Sequence, residues 1–130
     1  MDAFDADVLI YAATDDHPHR HALQHLLAVE EQRVGSVLLV PEVISKPLRL
    51  GDSVKLDRLL VLLDRVTLLS CDLETSRLAA TLGAARGLRA ADAIHLATAL
   101  KAGADRFITN NRRDFPDTME EIEVVYPDRL

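Results

Sequence analysis

The chain has 130 residues, of which 48% are hydrophobic and 4% aromatic, and its formal net charge at pH 7 is −6. The length fits one domain spanning residues 1–130, and the apolar share is large enough for a core, which excludes a disordered protein. The acidic balance excludes a general phosphate-binding surface, and the few aromatic residues argue against a stacking platform for single-stranded nucleic acid.

Hydrophobic periodicity and turn residues predict alternating strands and helices in the first half of the chain. The predicted elements are, in order, a buried strand at residues 3–5, a helix at 8–13, a break at 15–18, a helix at 19–32 and a strand at 36–40. The helix at 19–32 has apolar residues at helical spacing from Ala22 to Leu27, and Glu30 continues that spacing. Pro41 ends the strand and begins the next helix, because proline is favoured at the first helical position.

The second half of the chain repeats this alternation. The predicted elements are a turn at residues 51–53, a helix at 54–64, a strand at 66–70, a helix from 72 to between 83 and 87, a helix at 90–101, a strand at 105–109, a polar loop at 110–117 and a strand at 123–126. Gly103 occupies the C′ position that stops the helix at 90–101. The alternation predicts an α/β fold of three layers, with a mostly parallel central sheet flanked by helices.

The amino-terminal sequence and the cysteine content indicate the compartment. The first residues contain neither a basic region nor a long apolar run, so we predict no signal peptide and no membrane span. Cys71 is the only cysteine, which excludes an intrachain disulfide and favours a reducing compartment. We therefore expect a cytoplasmic protein.

Acidic residues stand where predicted strands end or predicted helices begin. Asp5 ends the first predicted strand, Glu42 lies in a first helical turn, Asp92 opens an apolar helix, and Asn111 follows a late strand. Each carboxylate alone could be a structural first-turn acid, which gains roughly 0.3–1 kcal/mol from the helix dipole. Together, Asp5, Glu42 and Asn111 would meet at the carboxyl edge of a parallel sheet, and Asp92 would need a partner or a cation. Clustered oxygen ligands favour Mg²⁺ or Mn²⁺ over zinc.

Four segments, in the same order along the chain, resemble the motifs of PIN domains. They are residues 4–12 (FDADVLIYA), 41–43 (PEV), 92–100 (DAIHLATAL) and 107–115 (FITNNRRDF). The resemblance spans nearly the whole chain and implies a metal-dependent endoribonuclease with the PIN fold. The chain is most similar to the compact VapC-type toxins of bacterial toxin–antitoxin pairs. That similarity implies two partners, a cognate antitoxin whose tail covers the acidic pocket and a second copy of the chain in a homodimer.

The resemblance also assigns residues to an active site. It implies that Asp5, Glu42 and Asp92 hold Mg²⁺ or Mn²⁺, and that Thr109 helps orient metal-bound water. Asn111 falls where the family has an acid or, in many members, an asparagine.

Two further acids could join that site. Asp7 stands where the family usually has asparagine, so it either adds a charge to the site or caps a helix. Asp114 could supply the charge that Asn111 lacks, or it could be an exposed loop acid.

Basic residues flank the acidic motifs in three pairs. They are Lys46 and Arg49, Arg86 and Arg89, and Arg112 and Arg113. For any single one of them, a solvated surface position is a better explanation than a phosphate contact. As a set, they are our candidates for contacts with RNA phosphates. His95 lies three residues after Asp92 on the same helix face, and we interpret it as a packed histidine rather than a metal ligand.

Two other functions are compatible with parts of the sequence. Residues 4–8 also resemble the first motif of haloacid-dehalogenase-like phosphatases, with Asp5 as the nucleophile. That class needs a downstream lysine and an acidic pair after a late strand, where this chain has Asn110 and Asn111. The second alternative is a catalytically silent PIN-like module that only binds a partner protein, in which case the acidic residues would bind no metal.

Overall fold

The computed structural model describes residues 1–29 and 31–130, which alternate between strands and helices. The strands are β1 (Asp2–Phe4), β2 (Arg33–Ser36), β3 (Thr67–Leu69), β4 (Arg106–Ile108) and β5 (Glu123–Val125). The helices are α1 (Ala6–Ala12), α2 (Arg20–Ala28), α3 (Leu39–Leu50), α4 (Ser53–Asp64), α5 (Leu73–Arg86) and α6 (Ala90–Ala102), and a short 3-10 helix spans Pro127–Arg129.

The five strands form one sheet in the order β3-β2-β1-β4-β5, and all of the pairings are parallel. The prediction of a mostly parallel sheet is therefore confirmed. Phe4, Ile108 and Val125 lie side by side where β1, β4 and β5 end. Because the strand order reverses at β1, the crevice between the carboxyl ends of β1 and β4 is the topological switch point, where open α/β sheets bind ligands.

Alternate side chains along the strands point to opposite faces of the sheet and build two cores. Phe4 and Ile108 belong to one core, which α1, α2, α3 and α4 complete. Ala3 and Phe107 belong to the other, which α5 and α6 cover. This arrangement confirms the predicted three layers. The longest helix, α5, has 14 residues, and no helix within residues 1–29 and 31–130 is long and apolar enough to cross a bilayer.

Polar caps and a glycine fix the ends of individual helices. The carboxylates of Asp52 and Asp72 accept hydrogen bonds from the backbone N–H groups of Lys55 and Thr75, at 3.1 and 2.8 Å. These bonds satisfy donors that have no partner within a helix, so α4 and α5 begin at these positions. Gly103 ends α6 with φ of 74°, a left-handed conformation, which confirms its predicted C′ role.

The strand predicted at residues 36–40 and the helix start predicted at Pro41 are wrong. β2 ends at Ser36 and α3 begins at Leu39. The chain turns between them because the Ser36 hydroxyl accepts a hydrogen bond from the N–H of Leu38 at 3.1 Å. Pro41 is the third residue of α3, within the first turn, where its missing N–H would have no helical partner.

The helix predicted at residues 19–32 is also too long. Val29 has extended backbone angles, and its carbonyl accepts a hydrogen bond from the Arg33 guanidinium, so α2 ends before it. Glu30, which continued the predicted helical spacing, lies outside the described residues. The other predicted elements agree with the structure apart from small shifts at their ends.

The amino edge of the sheet carries a buried ion pair. Asp2 is 4% exposed, and its two carboxylate oxygens accept hydrogen bonds from Nε and Nη2 of Arg106 at 2.9 and 2.8 Å. This two-pronged geometry is the strongest form of a charge-assisted hydrogen bond between side chains. The chain itself therefore neutralises the carboxylate at this edge.

Candidate active site

Asp5 is held rigidly where β1 ends at the switch point. It is 6% exposed and caps α1, because its Oδ1 accepts a hydrogen bond from the N–H of Ala6 at 2.8 Å. Its Oδ2 accepts a hydrogen bond from the hydroxyl of Thr109 at 2.8 Å, across the junction of β1 and β4. The Thr109 hydroxyl in turn accepts a hydrogen bond from the N–H of Asn111 at 3.0 Å. One chain of hydrogen bonds thus links three of the residues that the sequence assigned to the site.

Asp7 lies two residues after Asp5, in the first turn of α1, and ties α1 to the loop after β4. Its Oδ2 accepts a hydrogen bond from the N–H of Asn110 at 3.0 Å, whereas its buried Oδ1 has no hydrogen-bond partner within the described part of the chain. Burial raises the pKa of Asp7 to about 7, and the negative charges of Asp5 and, to a smaller extent, Asp92 contribute to that rise. A carboxylate in this position is costly to ionise unless a cation is present.

Asp92 faces the same acidic group from the first turn of α6. Burial raises its pKa, and the negative charges of Asp5, Asp114 and Glu42 raise it further, whereas His95 lowers it. The Asp5–Thr109 and Asp7–Asn110 hydrogen bonds, and the contact of Glu42 with His95 one turn after Asp92, bring these segments to one edge of the sheet. Residues from α1, α3, α6 and the loop after β4 therefore converge at the carboxyl edge of the sheet.

Asn111 and Asp114 bind each other in that loop. The Asn111 amide donates a hydrogen bond to the Asp114 carboxylate at 3.0 Å, and the N–H of Asp114 donates one to the Asn111 side-chain oxygen at 3.3 Å. Asp114 is partly buried and contributes to the raised pKa of Asp92. It is thus held by Asn111 and is not a freely solvated loop acid.

Glu42 comes from the first turn of α3, and its Oε1 contacts Nε2 of His95. His95 is buried, and its Nδ1 has no hydrogen-bond partner among residues 1–29 and 31–130. Burial lowers the pKa of His95, but the hydrogen bond with Glu42 and the charges of Asp5, Glu42 and Asp92 together raise it above its ordinary value. The sequence predicted a packed histidine but not this contact.

The six predicted basic residues divide into two groups. Arg86 forms a two-pronged ion pair with Glu121, and Arg112 pairs with Asp128 at 2.7 Å. The other four are exposed and form no ion pair with the residues that the structure describes: Lys46, Arg49, Arg89 and Arg113. Of the six, these four have no ion pair within the described residues that would have to break before they contact a phosphate.

A groove leads away from the acidic group between α1, α3 and α4. Its volume is about 280 Å³, and Glu42, Lys46 and Lys55 are among its lining residues. Lys55 was not among the predicted basic residues, because it lies on a helix without an acidic motif. The groove places two lysines on the same side of the site as Glu42.

The chemistry of these side chains fits a hard divalent cation. Asp5, Asp7, Glu42 and Asp92 offer only oxygen ligands, and the partnerless Oδ1 of Asp7 is one of them. In the described ranges, no three carboxylate, imidazole or thiol groups already stand at the spacing of a metal site. Without a cation, the like charges of these carboxylates repel one another and keep them apart. The carboxylates therefore have to move closer together when they bind a shared cation.

Comparisons with known proteins bear on the family. The sequence matches the model of the PIN domain over residues 3–120. No curated protein matches the sequence. The structure is similar to a toxin–antitoxin complex from Klebsiella pneumoniae, with 24% identity, a TM-score of 0.79 and all of both chains covered.

Two further solved structures show the same fold. FitAcB from Neisseria gonorrhoeae is 20% identical, with a TM-score of 0.70 and full coverage of both chains. VapBC2 from Rickettsia felis, solved with a DNA fragment from the promoter, is 14% identical, with a TM-score of 0.75 over 96% of this chain and 97% of that one. The family match covers most of the sequence and agrees with the fold and with the order of the four motifs. The chain belongs to the PIN domain family.

Proposed function

We propose that this protein is a divalent-metal-dependent endoribonuclease that acts as the toxin of a toxin–antitoxin pair. One observation supports the proposal: hydrogen bonds hold Asp5 and Asp7 at the carboxyl edge of the sheet beside the start of α6, and burial together with neighbouring negative charges raises the pKa of Asp7 and Asp92. Such a cluster calls for a cation, and nucleases commonly use divalent cations. We propose further that residues 1–130 act as one domain and that the protein works in the cytoplasm.

The proposed metal ligands are Asp5, Glu42 and Asp92. A Mg²⁺ or Mn²⁺ ion bound there would supply Lewis acidity and an activated water for hydrolysis of a phosphodiester bond. The hydrogen bonds from Ala6 and Thr109 fix the Asp5 carboxylate before any ligand arrives, so less ordering is left for the binding step.

Thr109 and Asn111 are proposed to act through position. The Thr109 hydroxyl already donates its hydrogen bond to Asp5, so its acceptor capacity serves Asn111 and water in the site. Asp7 and Asp114 are proposed as additional carboxylates that hold the loop after β4 and add negative charge around the cation. Each of these contacts orients a group without itself reacting.

The RNA backbone would be drawn in by cations around this acidic centre. Lys46, Arg49, Arg89 and Arg113 are the main candidates for phosphate contacts, since their charges have no internal partner among the described residues. Arg86 and Arg112 are secondary candidates. They would have to exchange the carboxylates of Glu121 and Asp128 for phosphate, which reduces the gain.

The proposed partners are an antitoxin protein and a second copy of the chain. The similar structures from Klebsiella pneumoniae and Rickettsia felis are a toxin–antitoxin complex and a VapBC2 complex, which supports this proposal by analogy of fold. We expect expression of the chain to arrest growth and co-expression of the neighbouring gene's product to relieve the arrest. Unaffected growth would count against a toxin.

The enzymatic proposal is tested by RNA cleavage with the purified full chain. We expect cleavage with Mg²⁺ or Mn²⁺, none with EDTA, and none with Asp92→Asn under conditions where that variant remains folded. Asp57→Asn is the matched control, because Asp57 is an exposed acid of α4 that forms no ion pair with the described residues. Cleavage by Asp92→Asn at the wild-type rate would refute the assignment.

A catalytically silent binding module is the second candidate, because the uncharged Asn111 is occupied with Asp114. It predicts that Mn²⁺ leaves the melting temperature unchanged, whereas binding to a metal site stabilises the folded state by mass action. The phosphatase alternative gains no support from the family match.

A further inference from the structure

We propose that His95 is a positioning residue that holds the Glu42 carboxylate towards the acidic centre and so sets the affinity of the site for a divalent cation. This inference rests on the proposed function, in which Glu42 is a metal ligand. The relevant contact joins Nε2 of His95 to Oε1 of Glu42, across 53 residues of sequence.

The contact bridges two layers of the fold. Glu42 belongs to α3, which packs against one face of the sheet, and His95 belongs to α6, which covers the other face. The contact therefore joins the two helices over the carboxyl edge, beside the acidic residues. The side chain of His95 is 1% exposed, so the ring is fixed by packing, whereas the side chain of Glu42 is 34% exposed. The buried ring of His95 therefore restricts the more exposed side chain of Glu42.

Glu42 is the proposed ligand that most needs support. Asp5 receives hydrogen bonds on both of its oxygens, from Ala6 and Thr109. Glu42 has one more rotatable bond, and among the described residues only its Oε1 has a hydrogen-bond partner, which is His95. Without that contact Glu42 would have to lose its rotamer freedom when the cation binds. The contact leaves Oε2 available as a ligand.

The other ring nitrogen argues against a purely structural role for His95. A carboxylate only accepts hydrogen bonds, so Nε2 carries the proton that is shared with Glu42. Nδ1 is buried without a hydrogen-bond partner in the part of the chain that the structure describes, which is unfavourable for the fold. An apolar side chain would avoid this penalty. A histidine at this position is explained by its single directed hydrogen bond to Glu42.

The test is Mn²⁺ binding to the full chain without RNA, followed by electron paramagnetic resonance. We expect His95→Leu to weaken Mn²⁺ binding by roughly 10–100-fold, as for other residues that orient metal ligands. Its melting temperature without metal is the control for folding. His95→Gln can still donate a hydrogen bond to Glu42, so it should restore most of the affinity.

A second background separates positioning from a general disturbance. In Glu42→Ala, the side chain that His95 holds is gone, so adding His95→Leu should weaken Mn²⁺ binding no further. If the two substitutions instead weaken binding additively, or if His95→Leu binds Mn²⁺ as tightly as wild type, the role of His95 is refuted. His95→Met, a flexible apolar replacement, gives the same test if His95→Leu does not fold.

The same experiment distinguishes this inference from the proposed function. If wild type binds Mn²⁺ and His95→Leu binds it equally well, only the inference about His95 fails. If wild type binds no Mn²⁺, both the metal-dependent function and the positioning role are overturned.

Discussion

The buried carboxylates at the two edges of the sheet differ in the charge of their hydrogen-bond partners. At the amino edge, both oxygens of Asp2 are matched by the guanidinium of Arg106. At the carboxyl edge, Asp5 and Asp7 receive only uncharged donors, and no lysine or arginine within residues 1–29 and 31–130 pairs with them. Both edges bury acids, but within the described residues only the acid at the amino edge is paired with an arginine or lysine. This difference favours stability as the role of Asp2 and cation binding as the role of the carboxyl-edge acids.

The largest expected contrast is between Asp5→Asn and Asp2→Asn. Asp5→Asn should reduce RNA cleavage by more than about 100-fold, since even residues that only orient metal ligands cost 10–100-fold. Asp2→Asn should retain cleavage but lower the free energy of unfolding by about 2 kcal/mol, because Arg106 loses a charged partner. Cleavage assays and urea unfolding of both variants measure the two effects. Equal loss of activity in both variants would abolish the distinction between the edges.

The next effect concerns pH in the absence of metal. The pKa of Asp7 is about 7 in the folded chain, against 3.8 as the ordinary value. Between these values the folded state binds more protons than the unfolded state, so the free energy of unfolding should fall as the pH rises from about 4 to 7. We expect a loss of roughly 3 kcal/mol, since Asp7 is only partly buried.

Asp7→Asn removes this titration while keeping the size of the side chain. Urea unfolding in EDTA at several pH values should therefore show a flatter profile for Asp7→Asn, whereas Asp57→Asn should keep the wild-type profile. A profile that is unchanged by Asp7→Asn would mean that Asp7 is not the group that ionises unfavourably at the carboxyl edge.

Adding metal should raise the free energy of unfolding through the acids of the carboxyl edge and not through Asp2. A Mn²⁺ concentration of 100 times the Kd stabilises a folded protein with one site by about 2.7 kcal/mol. We expect this gain in wild type and in Asp2→Asn, and its loss in Asp92→Asn, as measured by thermal unfolding. An equal gain in Asp92→Asn would place the ion elsewhere.

The smallest expected effects are those of the basic residues. Lys46→Gln should raise KM for RNA a few-fold and reduce the salt dependence of binding by about one counterion, because Lys46 is free to contact phosphate. Arg112→Gln should change both quantities less, since Arg112 is paired with Asp128. A larger effect for Arg112→Gln would show that this ion pair opens when RNA binds.

The parallel fold and the gathering of acids follow from local patterns. The alternation of strand and helix periods predicted three layers, and Asp5 and Thr109 could be placed at strand ends because each directly follows an apolar strand. In a parallel sheet the two residues then lie at the same edge. The exception is the segment after Ser36, where the strand propensity of Val37 and Val40 is overridden by a turn and the start of α3.

The partners of long side chains could not be predicted. Arg86 and Glu121 lie 35 residues apart, and Glu42 and His95 lie 53 apart. Helical spacing tells which face of a helix a residue occupies, but not which residue of another layer reaches it. The ion pair that occupies Arg86 and the contact that holds Glu42 therefore emerge only from the packed structure.

The hydrogen bond between Asp5 and Thr109 has a consequence for biosynthesis. Its two residues are separated by 104 positions, and it forms where β4 pairs beside β1. A nascent chain that has left the ribosome only as far as α6 already contains Asp5, Glu42 and Asp92, but it lacks the strand that locks Asp5 in place. Because the closing contact is so distant in sequence, Asp5 cannot be fixed in this way until the ribosome has released the segment through Thr109.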